Sequence, residues 1–258
     1  MRKRKIRLVK LIVAMLLAPF SVVSATAEDD TPMPKGFVYL REIAPDILQD
    51  IRYAGAKNFT GRPLPGYRSA ECILVMPAAI ALSRVQVELK LVGLGLKVFD
   101  CYRPVRAVRA FLEWASAPED AALKTAYYPR IKKSALIPRY IAKRSGHSRG
   151  AAVDLTLVAL NGARSEKPAA SPVCDVEKPA GEANLALDMG TAFDCFDPLS
   201  ETRANGISQT QRANRERLLA VMTRHGFRNY SGEWWHFSFS PEPYPKRYFD
   251  FTILPYRK

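Results

Sequence analysis

Two short segments must meet for this chain to make sense, and that requirement constrains its fold more than any other feature. The first is Ser145-Gly146-His147-Ser148-Arg149-Gly150-Ala151-Ala152-Val153-Asp154; the second, about eighty residues later, is Glu233-Trp234-Trp235-His236. The chain has three histidines, and two of them lie here, each near a carboxylate. Two imidazoles, one carboxylate ligand and one spare carboxylate are the needs of a hydrolytic zinc site. Zinc takes three protein ligands, keeps one position for water and lowers the pKa of that water to roughly 7. A neighbouring glutamate can then take the proton. His147, Asp154 and His236 are therefore the expected ligands of one Zn2+ per chain, and Glu233 the expected acid/base.

The spacing dictates local geometry. His147 and Asp154 are seven apart, and an odd separation within one strand puts side chains on opposite faces. His147 must sit in the Gly146–Gly150 turn, ahead of the strand that carries Asp154. Asp154 lies in an apolar run, where a charged carboxylate needs a partner, and a metal supplies one; the alternative is an aspartate on an exposed sheet face. Glu233 precedes His236 by three, but the aromatics around them favour a strand, so a bulge or strand entry at Glu233 is expected; otherwise it is a surface or capping glutamate. Arg103, at a strand-to-helix corner before Pro104, has two readings of equal weight. It can stabilise a developing oxyanion, or it can pair with Asp100 at the surface. His225 closes a helix, where a cation favours the negative end of the helix dipole.

Six of the first ten residues are Lys or Arg. An apolar run to Phe20 and then Ala25-Thr26-Ala27 follow, the order of a cleaved secretory signal. The apolar run is shorter than the roughly 20 residues of a membrane span, which disfavours an uncleaved anchor. Residues 1–27 are expected to be a signal peptide, and 28–258 one enzymatic domain exported to a periplasm, with no stable membrane insertion afterwards. Removing the leader lowers the formal net charge from +14 to +8. The remaining charges are dispersed, with no basic helix interleaved with aromatics, so no nucleic-acid partner is expected. Four cysteines, Cys72, Cys101, Cys174 and Cys195, suit an oxidising compartment. Cys72–Cys101 and Cys174–Cys195 each close a short loop and are preferred, although four cysteines permit three pairings. No C-x-x-C spacing points to a cysteine metal site.

Residues 37–67 read as short extended pieces with turns, Ile51-Arg52-Tyr53 as a strand end. Pro77 opens a helix carrying Leu82, Val85, Leu89 and Val92 on one face, with Gly93 and Gly95 at its end. Residues 96–100 read as a buried strand and 105–115 as a helix with Phe111 and Trp114 on one side. Residues 118–144 look like a polar surface excursion with short helical turns, 151–160 like a strand, and 161–187 like a loop pinned by Cys174. Residues 211–225 form a second helix stopped by Gly226, and 227–230 and 234–239 pair as strands. Helices and strands mix without βαβ regularity, which gives an α+β class: a single domain with a central, mostly antiparallel sheet flanked by helices.

Taken together, Asn58-Phe59-Thr60-Gly61, Asp100-Cys101-Tyr102-Arg103-Pro104, 145–157, Met189-Gly190-Thr191-Ala192-Phe193-Asp194 and Glu233-Trp234-Trp235-His236 make the chain resemble the D-alanyl-D-alanine dipeptidases, zinc enzymes of the hedgehog/D,D-peptidase fold. The resemblance runs from about residue 37 to 251. It implies zinc on His147, Asp154 and His236, Glu233 as acid/base and Arg103 as the transition-state clamp. It implies that Asp194, Ser145 and Tyr53 line the pocket, Asp194 facing the ammonium of a small D,D-dipeptide. Ser148 and Arg149 are candidates for its carboxylate. An insertion at 163–187 departs from the family pattern and bears on substrate range. A D,D-carboxypeptidase acting on peptidoglycan stems and a non-catalytic zinc-stabilised binding module are the competing expectations; the oligomeric state is left open.

Overall fold

A computed structural model describes residues 31–160, 173–174 and 185–258. The leader expected at 1–27 and most of the 161–187 loop lie outside the described residues. Strand β1 (Phe37–Tyr39) runs into the short helix α1 (Leu40–Ile43), then β2 (Leu48–Gln49). After a long loop, β3 (Ile73–Val75) pairs antiparallel with β1 and leads into α2 (Met76–Lys90), with Pro77 in its first turn, where no intrahelical N–H is missed. Leu82, Val85 and Leu89 are buried. Val92 lies past the helix end and is exposed, because the chain turns away at Leu91 before the helical period reaches it.

The second sheet has five strands in the order β2, β4 (Leu94–Asp100), β5 (Ala152–Ala159), β7 (His236–Phe239), β6 (Phe227–Asn229). Only β2 and β4 are parallel; the other neighbours are antiparallel. Every residue of β4 and β5 is buried, with Lys97, Asp100, Asp154 and Thr156 set among apolar neighbours. Leu96, Val98, Val153, Leu155, Leu157 and Phe237 all belong to the main core. Helix α2 packs against β4, and α5 (Gln209–Arg224) against α2 and β5. Helix α3 (Val105–Ser116) buries Phe111 and Trp114 in an aromatic cluster with Tyr53, Phe59 and Phe196. The α+β architecture expected from the sequence is the one observed.

Both preferred disulfides form, Cys72–Cys101 and Cys174–Cys195. Two readings need correction. Strand β2 stops at Gln49, and Arg52–Ala54 is a 3-10 turn. Tyr53 therefore sits on a turn with its ring packed between Phe59, Tyr67 and Phe111, not on a strand end. Residues 118–144 contain α4 (Ala121–Tyr127), capped by Asp120. They are only partly a surface excursion, because Tyr127, Tyr128, Leu136 and Ile141 are buried.

Helix α5 starts with a capping box between Ser208 and Gln211 and stops at Gly226, whose φ is +87°. Its Arg215 is fully buried. The guanidinium donates to the carbonyls of Met189 (2.7 Å), Leu199 (2.9 Å) and Glu201 (2.5 Å). Burial lowers its pKa to about 10. It thereby tethers both ends of the loop that carries Asp194.

Candidate active site

His147 lies in the 3-10 turn Gly146–Arg149, capped by Ser145, whose hydroxyl accepts the His147 N–H at 3.2 Å. The turn closes at Gly150, with φ +75°. A Cβ there would come within 2.2 Å of the Phe37 ring, so both backbone and space demand glycine. Strand β5 begins two residues later, which places His147 ahead of the strand as its spacing from Asp154 requires.

Asp154 on β5 stands directly opposite His236 on β7. On the other side it faces Asp100, because the β4–β5 register slips between Val98 and Asp100. Without that bulge Asp100 would be aligned one residue along β5; a bulge re-aims one side chain in this way. Asp100, Asp154 and His236 thus form a row across three adjacent strands. Glu233 lies in the turn that enters β7, its carbonyl accepting the His236 N–H at 3.3 Å, and this turn reconciles the three-residue spacing with a strand.

The imidazoles converge on Asp154. His147 Nδ1 faces the Cys101 carbonyl at 2.7 Å. A carbonyl only accepts, so Nδ1 carries the proton and Nε2 is left as a lone-pair donor. That Nε2 is 3.1 Å from His236 Nδ1 and 3.3 Å from Asp154 Oδ2, and His236 Nδ1 is 2.9 Å from Asp154 Oδ1. Ligands about 2.0–2.1 Å from a tetrahedral zinc stand roughly 3.3 Å apart, so the donor set matches such an ion in kind and spacing. Among the described residues it is the one group of His, Cys, Asp or Glu able to hold a metal, with all donor atoms within 4.8 Å of one another. Burial disfavours the charged form of His236 and lowers its pKa, keeping a neutral ring suited to ligation. Burial opposes the Asp154 charge, but His147 and His236 outweigh it and hold the carboxyl well below the usual range.

These groups open into a cavity of about 480 Å³ whose walls include Tyr53, Arg103, Ser145, Asp194 and Glu233, a volume typical of small-molecule sites. The eight residues expected at the metal and in the pocket all line it; Ser148 and Arg149 do not. Arg103 is placed by the pairing with Asp100 that one of its two readings expected. It pairs with Asp100, through Nε at 2.9 Å and Nη2 at 2.8 Å, while Nη2 also lies 3.5 Å from Asp154. The pair is buried rather than superficial. Burial opposes the guanidinium charge, but Asp100 and the phenols of Tyr53 and Tyr67 more than offset it, and the pKa rises above the ordinary arginine value. Its plane stacks 4.9 Å from the Phe111 ring and 5.1 Å from the Tyr53 ring.

Asp194 has φ +62°, an uncommon conformation for a residue other than glycine. Its two carboxylate oxygens each lie 3.0 Å from the Tyr53 hydroxyl, which donates. Burial and then the Asp154 charge push the Asp194 carboxyl well above the usual range. Burial, Asp154 and Asp194 do the same to Glu233. The cavity thus holds two carboxyls that gain from a cation, one of them braced by a phenol.

A family model described as D-Ala-D-Ala dipeptidase matches residues 33–164 and 176–254. The chain belongs to this dipeptidase family. The D-alanyl-D-alanine dipeptidases of Enterococcus faecium and Streptomyces coelicolor are each 39% identical to it over 222 residues, which cover 86% of this chain and all of the relative. That of Escherichia coli is 32% identical over 203 residues, 78% of this chain and 82% of its own.

In this member of the dipeptidase family, two candidates for binding a carboxylate lie away from the cavity. Arg149 is held by both oxygens of Glu242 and by the Tyr248 hydroxyl; Ser148 is fully buried, and its hydroxyl has no partner among the described residues. His225 pairs with Glu88 at 2.8 Å at the end of α5, the structural role expected of it. Sequence reasoning missed the 138–142 wall of the cavity and Tyr67, whose hydroxyl holds Asp100 at 2.6 Å; it named the Arg103–Asp100 pair but placed it at the surface. Asp100 carried a usable signal, a buried-strand aspartate three residues before an arginine.

Proposed function

We propose that this chain is a zinc-dependent dipeptidase that hydrolyses free D-Ala-D-Ala to two D-alanines in the cell envelope. In this reading residues 1–27 are cleaved, 28–258 form the periplasmic enzyme, and the activity serves salvage of wall dipeptide or wall remodelling. Two disulfides fit an oxidising compartment, and no helix among the described residues is long and apolar enough to cross a membrane. The observation that carries the reading is one cavity that joins a three-donor metal group to an acid/base carboxyl and a buried anionic clamp.

His147, Asp154 and His236 would hold the zinc, which when bound supplies Lewis acidity and brings the pKa of a coordinated water to roughly 7. Asp194, braced by Tyr53, receives the ammonium of the dipeptide through a charge-assisted hydrogen bond. Ser145 lines the wall beside it. Glu233, poised upward by burial and its anionic neighbours, accepts the proton of the attacking water and passes it to the leaving nitrogen as the C–N bond breaks. Arg103, fixed by Asp100, faces the carbonyl oxygen as negative charge grows on it, a contribution of about 3–4 kcal/mol in comparable sites.

Asp194 also separates this reading from a carboxypeptidase acting on wall stems, which has no free ammonium to bind. The test compares D-Ala-D-Ala with its N-acetyl derivative on the metal-loaded protein. Hydrolysis of the free dipeptide alone is expected; equal rates on both would defeat the dipeptidase assignment. Metal analysis of the same sample should return one zinc per chain.

A further inference from the structure

A free dipeptide presents a carboxylate as well as an ammonium, and the residues named so far leave that negative end without a cation. Three arginines bear on the question: Arg103, Arg139 and Arg228 all line the cavity. Arg103 is engaged by Asp100 and Asp154. Arg139 pairs with Glu201 and lies over the Tyr140 ring. Arg228 is exposed, and among the described residues its side chain has no ion pair, hydrogen bond or ring contact.

Its position follows from the sheet. Arg228 on β6 stands opposite Ser238 on β7, and Ser238 lies two residues beyond His236, so all three share one face. Two residues along a strand span about 6.8 Å, which sets the distance along β7 between the ligand His236 and the Ser238–Arg228 pair. Strand order places the metal group on β5 and β7, between β6 on one side and β2 and β4 on the other. Tyr53 follows β2 and holds Asp194. The anionic clamp and Arg228 therefore flank the metal group from opposite sides. Ser238, its register partner, also lines the cavity.

The geometry points to Arg228, with Ser238 at its side, as the subsite that receives the C-terminal carboxylate of the dipeptide. It rests on the dipeptidase reading above and extends it: the cavity reads both ends of its substrate, which selects for length as well as for a free amine. The guanidinium meets no reacting atom, so it is a specificity-determining residue and not a catalytic one.

The test measures kcat and KM for D-Ala-D-Ala and for its C-terminal amide, D-Ala-D-alaninamide, with the zinc-loaded parent, Arg228→Gln and Arg228→Lys. A charge-assisted contact at a partly solvated site predicts that Arg228→Gln raises KM for the free acid roughly tenfold with kcat nearly unchanged. The parent should prefer the acid over the amide by a similar factor, Arg228→Gln should lose that preference, and Arg228→Lys should keep part of it. An active parent whose preference for the acid survives intact in Arg228→Gln overturns the subsite alone. A parent that turns over neither compound overturns the dipeptidase reading and the subsite with it.

Discussion

The metal group and the recognition groups of this site are built from different material. Asp154 and His236 sit opposite each other on paired central strands, and Asp100 joins their row through a bulge. Tyr53 and Asp194 stand on turns, and the 138–142 wall belongs to a connecting segment. The sheet holds two of the three donor residues and the turn ahead of β5 the third, His147, to the few tenths of an ångström that a small ion requires. The loops around Tyr53 and Asp194 shape the space beside them. Replacing a donor should remove the chemistry, whereas replacing Tyr53 or Asp194 should change what is recognised.

The sharpest way to break that division is His236→Ala. It is expected to abolish both metal retention and turnover, read by metal analysis beside the hydrolysis assay; full zinc occupancy in this variant would contradict the three-residue donor set. Next, Glu233→Gln should keep its zinc and lose about 10²–10⁴ in kcat, so a variant that is slow because it is metal-free would misplace Glu233. Arg103→Ala should cost about 10²–10³ in kcat with metal content intact.

A smaller effect is expected at the disulfide that lies behind the metal group. Cys101 lends its carbonyl to His147 Nδ1, and partners that orient a ligand in this way contribute about 10–100-fold to metal affinity. The double variant Cys72→Ser/Cys101→Ser should therefore bind zinc more weakly in a chelator competition while the Cys174–Cys195 pair stays intact. An unchanged affinity would mean that the turn holds His147 without help from the crosslink.

The smallest effect is a pH-dependent one at Asp194. Its folded pKa lies above the unfolded value of about 3.9. The stability this confers is complete below that value and is lost as pH rises through the folded pKa. Asp194→Asn removes the ionisation, so its melting temperature should exceed that of the parent at neutral pH, by about 2–4 °C for each kcal/mol recovered. The gap should close as the pH falls toward 4. Its KM for D-Ala-D-Ala should rise at the same time, because the ammonium has lost its charged partner. A variant less stable than the parent at pH 7 would show that Asp194 holds its loop rather than a substrate.

The sequence made the metal group legible because period-two alternation, glycine placement and the scarcity of histidine all bear on the same few positions. The helix opened by Pro77, the buried strand before Asp100 and the pairing of both disulfides were legible for similar local reasons. The bulge at Asp100 was not, since a register slip belongs to a strand pair and neither strand shows it alone. Tyr53 looked extended because its β-branched and aromatic neighbours suit a strand, and the packing of its ring against Phe59, Tyr67 and Phe111 prevailed. The wall at 138–142 looked like polar surface because Leu136 and Ile141 are too sparse to show a helical or strand period, yet both are buried. Arg215 was hidden for the opposite reason. It is one of four arginines on α5, and nothing in the sequence marks it as the one that three carbonyls await.

That arginine joins one layer of the molecule to the other. It reaches from the helix packed behind the sheet to the backbone on either side of Asp194, so the acidic arm of the cavity is moored to the rear wall and not merely draped over the front. Extra residues can then accumulate in the approach to that loop, such as 165–175, which fall outside the family match, without letting the anchor point drift.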